Sequence, residues 1–181
     1  MTTIAIIVGS LRRDSFNRKF AEALTRLAPA DVSFTWPDIG ALPLYNQDDD
    51  ADPPAAAVAL KAAIRAADGV IFVTPEYNRS IPGVLKNALD HASRPYGDNA
   101  WAGKPAGVIG VSPGALGTAL AQHHLRSVIA YLDMPTLGQP EAYIQHHEEG
   151  MYADDASLTD KSRDFAQKWL DAYLAFVTRY R

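Results

Sequence analysis

Hydroxyls, an amide and a guanidinium crowd into one short stretch, Gly9-Ser10-Leu11-Arg12-Arg13-Asp14-Ser15-Phe16-Asn17. Ser10, Ser15, Asn17 and Arg12 all carry groups suited to phosphate oxygens, and few carboxylates or bases stand beside them to do chemistry. The stretch follows the apolar run Ile4-Ala5-Ile6-Ile7-Val8 and precedes helical spacing, so it reads as a loop at the carboxyl end of a buried strand. A helix N-terminus there offers free N–H groups and about half a unit of positive charge, which favours an anion. The motif is neither a Walker A loop nor a Gly-x-Gly-x-x-Gly fingerprint, and it reads as a monophosphate cradle. The alternative is that Ser15 only caps the following helix, with Arg12 and Asn17 solvated.

Two more loops follow apolar runs in the same way. Pro75-Glu76-Tyr77-Asn78-Arg79-Ser80-Ile81-Pro82-Gly83 comes after Gly69-Val70-Ile71-Phe72-Val73-Thr74, and Pro113-Gly114-Ala115-Leu116-Gly117 comes after Ala106-Gly107-Val108-Ile109-Gly110-Val111-Ser112. Tyr77 sits among polar loop residues rather than at a core period, which suits a stacking contact. Arg79 either meets the phosphates of a nicotinamide cofactor or joins a surface ion pair.

Other clusters read as structural. Asp48-Asp49-Asp50 lacks the alternating ligands of a calcium loop and reads as a solvated turn, and the pairs His123-His124 and His146-His147 point in different directions along a helix. No metal site is expected. No Ser-His-Asp or paired-carboxylate set is evident, leaving Glu76 as the one obvious carboxylate for a rival reading, a nucleotide-processing enzyme on the same fold.

The elements that would position these loops alternate. Residues 16–28 have helical apolar spacing up to Pro29, residues 32–36 read as a short edge strand, and helices are expected over residues 53–67, 84–91, 118–132 and 158–181. A last edge strand is expected at residues 141–145, and the glycines of the run at residues 106–112 permit close helix approach. Strand and helix alternating to about five strands imply a parallel sheet with right-handed crossovers and helices on both faces. Both common doubly wound orders fit; in the order 2-1-3-4-5 the first and third strands are neighbours and the Ser10 and Tyr77 loops meet.

At 181 residues and 48% hydrophobic content, the chain is expected to be one domain spanning residues 1–181. It has no cysteine, which removes thiol and disulfide chemistry, and its net charge of −4 argues against nucleic acid. No apolar run approaches the ~20 residues of a membrane span, so the expectation is a cytoplasmic protein with no membrane partner.

Taken together, the Gly9 to Asn17 stretch and Pro75 to Gly83, continued by Val84-Leu85-Lys86-Asn87-Ala88-Leu89-Asp90, resemble the NADPH-dependent FMN reductase family, which includes quinone, chromate and azo-dye reductases. The resemblance implies a flavodoxin-like three-layer α/β sandwich with a five-stranded parallel sheet in the order 2-1-3-4-5. It implies that Ser10, Arg12, Ser15, Phe16 and Asn17 hold the FMN phosphate, that Pro75, Glu76, Tyr77 and Asn78 line the isoalloxazine, and that Ser112, Gly114 and Gly117 shape the far flavin edge. The third loop departs from many relatives, which have a Gly-Gly pair where this chain has Pro113-Gly114; proline has no N–H to donate. The implied activity is hydride transfer from NADPH or NADH through FMN to a quinone or similar small acceptor (chromate, azo dye, free flavin) by a ping-pong mechanism. The alternative is an FMN-binding electron carrier without nicotinamide turnover. The helix bearing Gln122, His123, Leu125 and Arg126 is implied in a homodimer, with a homotetramer as the larger assembly.

Overall fold

The computed structural model describes residues 1–146 and 150–180, so His147 lies outside the described residues. Five strands, β1 (Thr2–Val8), β2 (Val32–Thr35), β3 (Gly69–Val73), β4 (Ala106–Ser112) and β5 (Tyr143–Gln145), pair in parallel in the order β2-β1-β3-β4-β5. The order is the flavodoxin-like one, and it puts β2 and β5 at the edges. The crossovers carry α1 (Phe16–Thr25), α2 (Ala55–Ala66), α3 (Gly83–Ala92) and α4 (Ala119–Tyr131), and α5 (Asp160–Thr178) follows β5.

Strand alternation divides the apolar runs between two cores. Ile4, Ile6, Val8, Ile71, Val73, Ile109 and Val111 face α1 and α5, where they meet Phe20, Leu24, Trp169 and Tyr173. Ala5, Ile7, Val70, Phe72 and Val108 face the other way, onto Leu60, Ile64, Leu85, Leu89, Leu125 and Trp101. Burial on both sides is why these strands are continuously apolar instead of alternating with polar residues.

Glycine in the strands does what was expected of it. A Cβ on Gly107 would fall 2.7 Å from the Tyr173 ring and 2.8 Å from Trp169, so only glycine lets α5 lie this close to β4. The Tyr173 hydroxyl, held above its ordinary pKa by burial, donates to the Pro105 carbonyl at 3.2 Å.

Several boundaries are tighter than the pattern suggests. Helix α1 stops at Thr25 rather than Ala28, because Pro29 disfavours helical backbone at the residue before it and the chain unwinds through a turn at Leu27 and Ala28. The last strand begins at Tyr143 rather than Glu141, just after Pro140, and α5 covers Asp160–Thr178 within the expected span. No helix among the described residues is long and apolar enough to cross a membrane.

Candidate active site

The loops after β1, β3 and β4 converge at one end of the sheet. The first two are joined at Gly9, whose N–H donates to the Val73 carbonyl at 2.9 Å and whose Cβ, if it had one, would lie 3.2 Å from Thr74 Oγ1 and 3.3 Å from Leu85. The meeting of the Ser10 and Tyr77 loops follows from β1 and β3 being neighbours.

In the first loop, Ser15 is buried and its hydroxyl accepts from the Arg18 N–H at 3.2 Å, capping α1. The cap leaves donors over: among the described residues, the backbone N–H groups of Leu11, Arg13 and Asp14 have no partner. Ser10 accepts only a long contact from the Arg12 N–H, at 3.4 Å. The Arg12 guanidinium lies 4.9 Å over the Phe16 ring, and Phe16 stacks on His146 with centroids 3.8 Å apart. Free N–H groups, a hydroxyl and a guanidinium at a helix N-terminus form a donor set that suits a phosphomonoester.

Asn17 is different from its neighbours. It is buried, and its amide exchanges two hydrogen bonds with the backbone of Val111. Strand β3 has ended by this level, so the edge of β4 would otherwise carry a bare N–H and C=O, and Asn17 completes the ladder in its place. Its amide therefore fixes the first loop against the third.

The second loop is built around a tight turn. Tyr77 and Ser80 exchange backbone hydrogen bonds, each 3.0 Å, and Asn78 and Arg79 both have positive φ, 51° and 65°. This is the geometry of a type I′ turn. Tyr77 is half-exposed. Glu76 is largely buried, and its Oε2 accepts from the N–H groups of Leu120 and Ala121, 3.0 and 3.1 Å away, at the start of α4. His124 Nδ1 lies 2.9 Å from Ser80 Oγ, a second tie between this loop and α4.

The third loop turns on Gly117, whose φ of +57° and close approach to the Tyr143 backbone exclude a side chain. Ser112 Oγ accepts from the Gly114 N–H at 3.2 Å, and the Pro113 carbonyl accepts from Gln145 at 3.4 Å. Pro113 thus costs this loop no internal bond. The second and third loops enclose a cleft of about 360 Å³, lined by Glu76, Asn78, Arg79, Ser112, Gly114, Ala115, Leu116 and Gly117.

A model of the NADPH-dependent FMN reductase family matches residues 2–149. The chain belongs to that family. Its members are oxidoreductases, and membership makes FMN and NAD(P)H the cofactors of this chain. Over 174 residues it is 56% identical to a 2-hydroxy-1,4-benzoquinone reductase of Burkholderia sp, covering 96% of this chain and 95% of that one. It is 48% identical to a quinone reductase of Pseudomonas putida, covering 97% and 94%. Among solved structures it is similar to FerB, a flavoenzyme NAD(P)H:(acceptor) oxidoreductase from Paracoccus denitrificans, with a TM-score of 0.95 and 47% identity over 99% of each chain.

The FMN reductase family assignment suits the donor set and the open glycine face at Gly114, where an added Cβ would meet nothing nearer than Ser112 Oγ at 3.6 Å. Eight of the residues singled out, Ser10, Arg12, Ser15, Pro75, Glu76, Tyr77, Gly114 and Gly117, lie on the three converging loops, with Asn78 in the turn, Phe16 opening α1 and Ser112 ending β4; Asn17 faces inward. Sequence reasoning did not foresee the contacts of Glu76 and Ser80 with α4, since their partners Leu120 and His124 each stand 44 residues further along the chain. On α4 itself Gln122 and Leu125 are buried within the chain, while His123, Ser127 and Tyr131 face outward.

Proposed function

We propose that this chain is an NAD(P)H:quinone oxidoreductase, one FMN-binding domain over residues 1–181, with hydroxylated quinones among its acceptors. The observation that carries the reading is the cleft between the Tyr77–Ser80 turn and the Gly114–Gly117 loop, open beside a donor set made for a phosphate. The names of the Burkholderia and Pseudomonas putida relatives support quinone as the acceptor class. Chromate, azo dyes and free flavin are the other acceptors within this reading.

Ser10, Arg12, Ser15 and Phe16, with the free N–H groups of Leu11, Arg13 and Asp14, would seat the FMN phosphate. Pro75, Glu76, Tyr77 and Asn78 would wall one side of the ring, and Ser112, Gly114 and Gly117 the far edge. Asn17 holds the first and third of these loops in register. When bound, FMN supplies the redox chemistry, accepting hydride from NAD(P)H and passing the electrons on. With the ring seated in this cleft, one exposed ring face would serve as the stacking site for both partners in turn, so nicotinamide leaves before quinone enters, and ping-pong kinetics follow.

A homodimer using the outward face of α4, or a tetramer built from it, completes the reading, as does a cytoplasmic location, where reduced nicotinamides are supplied. The deciding experiment is the visible spectrum of the purified protein, first with NADPH under nitrogen and then with quinone. Flavin bands that bleach and are restored by quinone support the proposal. Bands that persist with NADPH indicate an electron carrier and overturn it.

A further inference from the structure

We propose that Arg79 sets the acceptor preference of the cleft, selecting quinones that carry an ionised ring hydroxyl. The inference rests on the quinone-reductase reading and names the charged partner within it. Arg79 occupies the second central position of the type I′ turn at φ 65°, where asparagine followed by glycine is the favoured pair. A long side chain at a position that suits glycine invites a functional explanation.

The surroundings leave that side chain available. Its one contact among the described residues is with Glu76 Oε1, a long 3.4 Å, although a guanidinium has five N–H donors. Glu76 is itself occupied, since its other oxygen accepts from the N–H groups of Leu120 and Ala121. Across the cleft stand Gly114, Ala115, Leu116 and Gly117, none of them charged. Among the described residues, the other titratable side chains at this turn are Tyr77, within it, and His124, whose ring is engaged with Ser80.

A hydroxyl on the quinone ring is conjugated to the distant carbonyl and behaves as a vinylogous carboxylic acid, ionised at neutral pH. Its oxygen and the adjacent carbonyl oxygen present two acceptors that match the guanidinium fork. The reaction balances as hydroxyquinone anion plus NAD(P)H plus two protons, giving the neutral benzenetriol and NAD(P)⁺. Two electrons and one hydrogen come from the nicotinamide, and the two protons come from solvent. Because the charge is lost on reduction, Arg79 favours substrate over product and so assists release.

The test compares kcat/KM for 2-hydroxy-1,4-benzoquinone with that for 2-methoxy-1,4-benzoquinone, nearly equal in size but neutral, in the holoenzyme. Arg79→Gly keeps the turn as Asn-Gly and removes the charge; Arg79→Lys keeps the charge and removes the fork. The hydroxy-to-methoxy ratio should fall about tenfold in Arg79→Gly, chiefly through KM for the hydroxyquinone, with partial recovery in Arg79→Lys. An unchanged ratio, with both quinones still reduced, overturns the inference and leaves the quinone-reductase reading intact. Wild-type holoenzyme that bleaches with NADPH yet reduces neither quinone overturns both.

Discussion

The side chain of Asn17 and the backbone of Val111 exchange two hydrogen bonds, 2.8 Å from Nδ2 to the carbonyl and 2.9 Å from the N–H to Oδ1, 94 positions apart in the chain. Replacing Asn17 by Ala leaves two buried backbone groups unpaired. The expected loss is about 2–4 kcal/mol of apoprotein stability, measured by urea unfolding, with weaker FMN retention as the first and third loops separate.

Gly117 permits no side chain. At φ +57° an added methyl lies 2.8 Å from the Tyr143 carbonyl carbon, and neither backbone can yield cheaply. Gly117→Ala should cost at least about 1–2 kcal/mol from the left-handed conformation alone. It should purify with substoichiometric flavin, read from the ratio of visible to ultraviolet absorbance.

Glu76 caps α4 from another loop. In Glu76→Ala the Leu120 and Ala121 N–H groups lose their acceptor, and stability should fall by about 0.5–2 kcal/mol. Amide exchange at Leu120 and Ala121 should speed up, while exchange in β1 at Ile6 and Ile7 should not change beyond the global loss.

Far from the cleft, the Lys61 ammonium donates to Asp98 Oδ2 at 2.7 Å and also to the Arg94 carbonyl, and Arg65 reaches the same carboxylate. The Lys61 hydrogen bond, aided by both cations, holds the Asp98 carboxyl below its ordinary range. A depressed folded-state pKa gives stability that is present above the unfolded value near about 3.9 and is lost as pH falls through the folded one. Urea midpoints for wild type should therefore drop more steeply below about pH 4 than those for Asp98→Asn, and parallel curves would remove this pair from the acid response.

Much of the architecture was readable because it rests on local patterns. The runs Ile4 to Val8, Gly69 to Val73 and Ala106 to Ser112 are buried on both faces, and continuous apolar character records that burial. The strand order came from the resemblance carried by the first two loop motifs, and the structure confirms it. Positions of the loop residues were legible too, since they follow directly from the strand ends. What each side chain does there was less so. Asn17 looks like any polar residue beginning a helix, and its inward turn depends on β3 ending before β4 does. The Tyr77–Ser80 turn was hidden because Asn78-Arg79 lacks the glycine that usually announces such a turn. Helix capping by Glu76 has no local signature at all, because acceptor and donors meet only after β4 has been laid down beside β3.

That turn also bears on how such an enzyme can diversify. Asn17, Glu76 and Gly117 are welded to a strand, a helix and a neighbouring backbone, so changes there disturb the scaffold that would hold the cofactor. Between Tyr77 and Ser80 the backbone bonds close on themselves, and the side chain of Arg79, whose one contact among the described residues is the long one to Glu76, can be exchanged without unpicking a strand or a helix. Under the proposed function, selection, natural or directed, can thus retune the acceptor range through the single codon of Arg79 while the residues that would hold the flavin are inherited unaltered.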